Sequence, residues 1–144
     1  MKVLFVCIHN SARSQMAEAF LNRLGEGKFF AESAGIEAGI LNPLVVEAMM
    51  EIGYDLSKNQ TKSVFDFFKE GRTYSAVVKV CDRANGQRCP IFPKTLINLS
   101  WNLEDPSSLD GTHAEKLERT RQIRNQIKIK VEEFIKEYEG LIQS

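Results

Sequence analysis

A chain of 144 residues with 43% apolar side chains has the size of one domain and enough apolar material for one core, which excludes two large domains. Nineteen basic residues against 19 acidic ones leave a formal net charge of zero, so no bulk field draws the chain to nucleic acid or anionic lipid, and any anion site must be local. The longest apolar run near the start, Val3 to Ile8, has six residues, too few for a signal-peptide core or a membrane span. A cytoplasmic protein is therefore expected. Three cysteines are an odd number, which argues against a secreted disulfide framework and leaves metal binding, catalysis or core packing.

Glycine and proline are scattered as punctuation, and no repeat or low-complexity tract appears, so residues 1–144 read as one domain. Lys2 to Val6 is a β-branched and aromatic run that predicts a first strand, with Cys7 at its end. A polar stretch follows, then a helical pattern with Met16, Phe20 and Leu24 in one stripe, Ala17 and Leu21 alongside, and Gly25 as the stop. Phe29 to Ser33 predicts a second strand. Asn42-Pro43 opens a helix carrying Leu44, Val45, Ala48, Met49 and Ile52, ended by Gly53. A shorter helix is expected from Ser63 to Lys69, a third strand from Tyr74 to Val80 and a fourth from Thr95 to Ser100. His113 to Glu139 predicts a long amphipathic helix whose inner face is Ile123, Ile127, Val131, Phe134, Ile135 and Tyr138. Thr112 followed by Glu115 is a capping-box pattern at its start. Arg119, Arg121, Arg124, Lys128 and Lys130 are interleaved with Glu and Gln at helical spacing, and a solvated helix face accounts for them without nucleic acid.

Strands alternating with helices over short loops predict an α/β fold with a parallel sheet covered on both faces. In such a sheet all carboxyl ends share one edge, where ligands sit. Cys7, Cys81 at the end of strand three, and Asp105 just after strand four are thereby expected on one rim.

The segment Cys7-Ile8-His9-Asn10-Ser11-Ala12-Arg13-Ser14 sets a cysteine at a strand end and an arginine six positions later, in the first turn of a helix. Loop amides and the helix dipole converge on one spot, and Arg13 can offer a bidentate fork to a tetrahedral oxyanion. A free thiol with a pKa near 8.5 is only ~3% thiolate at pH 7, whereas the field at such a helix start makes a cysteine mostly ionised. Ser14 is placed to donate to that thiolate. The bland alternative is a buried strand-end cysteine and a solvated helix arginine. Asn10 is expected to take a left-handed backbone conformation that lets the loop wrap. His9 reads as a loop residue with no stated proton to move.

This segment resembles the phosphate-binding loop of the low-molecular-weight protein tyrosine phosphatases and of the arsenate reductases built on the same fold. The likeness runs from Val3 through Glu18, continues in Ser33-Ala34-Gly35-Ile36 and Asn42-Pro43, and reappears at Asp105-Pro106. It implies a single-domain, four-stranded parallel sheet of flavodoxin-like architecture, with Cys7 as nucleophile, Arg13 as oxyanion clamp and Asp105 as general acid. Asp before Pro is also a common turn opener.

Cys81 and Cys89 separate the two branches. They bracket a polar segment, Asp82 to Arg88, with an Asn-Gly turn signal and no apolar anchor, expected to move. The pattern is similar to thioredoxin-coupled arsenate reductases, in which a nucleophilic cysteine is followed by a pair flanking such a loop. Strand-end core cysteines, or half of a zinc site, are the alternatives, although seven intervening residues are long for a zinc knuckle. The resemblance implies reduction of arsenate to arsenite by a three-cysteine relay, with thioredoxin as partner and neither metal nor other cofactor. Hydrolysis of phosphomonoesters through a phosphocysteine is the competing reading. Ser107 and Ser108 stand where the phosphatases usually carry an aromatic residue, which counts against a phosphotyrosine substrate, and Ala12 stands where they typically have a second, protective cysteine. Some reductases of the family hold potassium through residues matching Asn10, Glu18 and Ser33 plus an acid. Here Thr61-Lys62-Ser63 lies near the fourth place and offers none, so the cation is not carried over. A monomer is the default at this size.

Overall fold

The computed structural model describes residues 1–10, 12–80 and 91–142. Its first strand, β1 (Lys2–Cys7), is buried on both faces from Val3 onward, as a central strand of a parallel sheet must be. Helix α1 (Arg13–Leu24) and strand β2 (Phe30–Gly35) complete the first crossover. Helices α2 (Pro43–Met50) and α3 (Val64–Lys69) lead to β3 (Ala76–Lys79), which is followed by β4 (Ile97–Ser100) and the long α4 (His113–Tyr138). The strands lie in the order β2-β1-β3-β4, every pair parallel. The order reverses beside β1, and the crevice at the carboxyl ends of β1 and β3 is where such sheets bind ligands.

Period-two alternation along β1 divides the core. Val3, Phe5 and Cys7 join the larger cluster with Met16, Phe20, Val45, Met49, Trp101 and the α4 residues Ile123, Ile127, Val131 and Phe134. Leu4 and Val6 face the smaller cluster of Val64, Phe67, Tyr74, Val77 and Phe92. The expected inner face of α4 thus forms, with Ile135 and Tyr138 at its half-buried margin. Thr112 and Glu115 make the reciprocal capping box. Asn42 caps α2 through its side chain, with Pro43 in the first turn, and Ser63 caps α3.

Element ends differ from the sequence reading where apolar pattern and hydrogen bonding part company. Strand β2 runs on to Gly35, and β3 begins only at Ala76, because Tyr74 packs into the smaller cluster before the ladder starts. Strand β3 ends at Lys79, one residue short of the expected Val80, and Cys81, expected next to it, lies outside the described residues. Leu24, expected in the apolar stripe of α1, is half-exposed at the helix end. Gly25 ends α1 as expected. Its φ of −104° is not left-handed, and a Cβ there would sit 2.8 Å from Phe29 Cδ2 and 2.9 Å from Leu21 O. Close approach of the chain, rather than backbone handedness, requires the glycine.

The solvated basic face of α4 needs a correction. Arg124 is buried, donating through Nη1 to Ala48 O at 2.7 Å and to Glu51 Oε1 at 3.1 Å, and Arg121 meets Glu51 Oε2 at 2.6 Å. These arginines fasten α4 to the C-terminal end of α2, whose unpaired carbonyls attract cations. Among the described residues no helix is long and apolar enough to cross a membrane.

Candidate active site

The loop after β1 is shaped by backbone first. Asn10 has φ 56°, the expected left-handed conformation, and this turn brings its own N–H to 3.1 Å from Cys7 Sγ. The segment after β2 lies against the loop and holds it open: Ile36 N donates to Cys7 O at 3.0 Å, Glu37 N to Ile8 O at 2.8 Å and Gly39 N to His9 O at 3.0 Å. Such closeness demands Gly35, where a Cβ would stand 2.6 Å from Asn10 N and 2.7 Å from the His9 carbonyl carbon.

Hydrogen-bond direction can be followed as far as Ser14. Lys62 N–H, which can only donate, reaches Asn10 Oδ1 at 2.9 Å and so fixes the amide. Asn10 Nδ2 then donates to Ser14 Oγ at 2.8 Å, and Ser14 Oγ lies 2.9 Å from Cys7 Sγ. Asn10 N–H thus points at Sγ, and Ser14 Oγ lies within hydrogen-bond reach of it, both at the start of α1.

A second layer escaped the sequence reading. Gln15 is fully buried; its Nε2 donates to Asn10 Oδ1 at 3.1 Å and to Gln60 O at 3.0 Å, while its Oε1 accepts from Asn59 Nδ2 at 3.1 Å. Thr61 Oγ1 donates to Gly39 O at 2.6 Å, and Gly35 N donates to Lys62 O at 2.8 Å. Residues 59–62 form a strap beneath the loop. Lys62 Nζ lies 3.6 Å from Glu18 Oε1. Burial pushes the Glu18 carboxyl above its ordinary value, and the Lys62 charge opposes that rise. In place of an acidic residue, the chain sets its own ammonium against Glu18. The family resemblance places Thr61-Lys62-Ser63 near Asn10, Glu18 and Ser33, but nothing in the sequence marks Gln15, Asn59 or Gln60.

Arg13 is 3% exposed, so the solvated alternative does not hold. Its Nη1 donates to Leu103 O at 2.8 Å, and its Nη2 stands 3.6 Å from Asp105 Oδ2. Asp105 is the turn opener, its Oδ1 accepting from Ser107 N at 2.9 Å and capping the turn Pro106–Ser108, while Oδ2 faces Arg13. The structure thus brings together Cys7, Asn10, Arg13, Ser14 and Asp105, with Ile8 half-buried and Ala12 buried in the same loop. His9 is half-exposed, its Nδ1 3.9 Å from Glu37 Oε2. Ser11, Cys81 and Cys89 lie outside the described residues. Among the described residues no three His, Cys, Asp or Glu side chains gather as metal ligands would. The arrangement can hold a tetrahedral oxyanion between backbone amides and a guanidinium, above a sulfur nucleophile and beside a carboxyl group.

Over most of its length the chain is similar to known proteins. An arsenate reductase of Bacillus subtilis (strain 168) is 36% identical over 132 residues, spanning 92% of this chain and 93% of the relative. A glutaredoxin arsenate reductase of Synechocystis is 37% identical over 134 residues, spanning 93% and 95%. A solved structure described as an arsenate reductase in the phosphate binding state superposes with a TM-score of 0.79 at 33% identity, covering 99% of this chain and 98% of that one. Residues 2–141 match the low molecular weight phosphotyrosine protein phosphatase family model, and the chain belongs to that family.

Proposed function

We propose that this chain reduces arsenate to arsenite through a Cys7–Cys81–Cys89 relay that thioredoxin regenerates in the cytoplasm, residues 1–144 acting as one domain. The observation that carries this reading is Cys7 Sγ, held at 2.9 Å from Ser14 Oγ and 3.1 Å from Asn10 N, with Arg13 and Asp105 paired at 3.6 Å on the same rim. The names of the relatives support arsenate over a phosphate ester as the substrate.

Arsenate binds with its oxygens on the loop amides and the Arg13 guanidinium. The Cys7 thiolate attacks arsenic, and one oxygen leaves as water after taking a proton from Asp105 Oδ2. The thiolate of Cys81 then attacks Cys7 Sγ. The sulfur–arsenic bond breaks with its electron pair going to arsenic, which leaves as arsenite, and a Cys7–Cys81 disulfide holds the two oxidising equivalents. Attack by Cys89 on Cys81 frees the Cys7 thiolate and moves the disulfide outward to 81 and 89, where an external dithiol reduces it.

The test is steady-state turnover of arsenate with NADPH and either thioredoxin plus its reductase or glutathione plus glutaredoxin. Arsenite formation with thioredoxin, and little without it, is expected. Turnover only with glutathione and glutaredoxin would reassign the partner and leave the substrate standing. No arsenite with either system, together with hydrolysis of an aryl phosphate, would replace the reductase reading by the phosphatase one.

A further inference from the structure

Asp105 sits on a turn that follows β4, far in sequence from the loop it faces, so its alignment depends on what fixes that turn. Part of the answer lies across a surface pocket of about 290 Å3, one wall of which is Ile40 to Leu44 and the other Pro106, Ser107 and Leu109. Asn42 bridges the walls. Its Oδ1 accepts from Leu44 N at 2.9 Å as the cap of α2, and its Nδ2 donates to Ser107 Oγ at 3.0 Å. Ser107 is the residue whose N–H holds Asp105 Oδ1 at 2.9 Å. A continuous set of bonds therefore runs from the start of α2 through Asn42 and Ser107 to the carboxyl group that faces Arg13.

We infer that Asn42 is a positioning residue for the reaction, fixing the Asp105 turn against the rigid N-terminus of α2 so that Oδ2 stays over the oxyanion site. The inference rests on the proposed reaction for the role of Asp105. Asn42 reaches Asp105 through Ser107, so its main effect is expected on proton delivery. Misplacement of an acid by about 1 Å costs on the order of a hundredfold in rate, and a loosened turn that still visits the right position loses less.

The test uses Asn42→Ser, which retains a good cap on α2 but cannot also span to Ser107, and Ser107→Ala, which removes the acceptor from an exposed position. Each is expected to lower kcat for arsenate about tenfold, and the double variant is expected to lose no more than either alone, because the two changes break one bond. The dissociation constant for inorganic phosphate and the rate of Cys7 alkylation are expected to stay within about twofold of wild type, which a general loosening of the site would not allow. Unchanged turnover in both variants, additive losses in the double variant, or losses matched by weaker phosphate binding would overturn the inference. Wild-type protein that does not turn over arsenate would instead overturn the reading on which it rests.

Discussion

Arginine organises two regions of this molecule in contrasting ways. At the carboxyl edge of the sheet, Arg13 is 3% exposed and bonded to the Leu103 carbonyl, in a neighbourhood where Asn10, Ser14 and Gln15 are all fully buried. At the seam between α2 and α4, Arg121 and Glu51 face each other with roughly a third of each side chain in water, and elsewhere on α4 Arg119 pairs in greater exposure with Glu104 of the segment after β4. The bonds are of similar length, 2.6 to 3.1 Å, yet the consequences of losing them differ. Water can replace a partner at Arg121, although not at the buried Arg124 of the same seam. Beneath the oxyanion loop it cannot without entering the packed interior, so each lost partner leaves a buried polar group unpaired. The seam fastens helices; the loop network orients atoms.

The strongest way to break this contrast is Arg13→Lys. Lysine keeps the charge but not the planar fork that spans Leu103 O and an oxyanion, so kcat/KM for arsenate is expected to fall by about 10²–10³, and the melting temperature to fall as well, because the buried Leu103 carbonyl loses its partner. A conservative change at the seam, Arg121→Lys, should leave turnover intact, and an equal loss in both would erase the distinction. Asp105→Asn comes next. The amide oxygen still accepts from Ser107 N, so the turn survives, but no proton can be delivered, and kcat is expected to drop about 10²-fold, measured beside an unchanged circular dichroism spectrum.

Lys62→Met moves the comparison from rate to stability. Glu18 would keep its burial and lose the nearby ammonium, and a cost of about 1–3 kcal/mol is expected from urea unfolding at pH 7, below that of a deeply buried pair because a third of the Lys62 side chain is exposed. The folded-state pKa of Glu18 is raised above its ordinary 4.5, so the folded protein holds this proton more tightly than the unfolded chain. The destabilisation of Lys62→Met should therefore shrink as pH falls through the raised folded value toward the unfolded one; a deficit that grows in acid would refute the assignment. The smallest effect is expected from Glu51→Gln. Hydrogen bonding from Arg121 holds the Glu51 carboxyl below its ordinary value, so its stabilising contribution is present above that value and fades as pH falls through the depressed one. The variant should melt slightly lower than wild type at neutral pH, and the difference should narrow both in acid and in high salt.

The sequence was most legible where chemistry and local pattern coincide. Cys7, Asn10, Arg13 and Ser14 lie within eight residues, on a strand end and a helix start that announce themselves by periodicity and by the family motif, and Asp105 carries its Asp-Pro signal. What could not be read is what distant polar loops supply. Asn59 and Gln60 look like an ordinary turn, and Lys62 stands out only because some reductases of the family carry an acid near its place; the crossover from α2 to α3 reveals that the three support the loop through Gln15, Asn10 and Glu18. Arg124 misleads in the same way, since helical spacing places it among solvated charges and only the arrival of α2 buries it. Gly25 shows the converse, a position correctly recognised whose reason, the nearness of Phe29, is tertiary.

The central claim is that oxidation passes from Cys7 outward, and disulfide mapping tests it most directly. Fully reduced protein would be mixed with arsenate in the absence of external thiols, quenched by alkylation, and analysed by mass spectrometry alongside arsenite quantification. One arsenite per chain, a disulfide joining Cys81 and Cys89, and an alkylated Cys7 are expected. All three cysteines alkylated after arsenate treatment, with no arsenite formed, would contradict it.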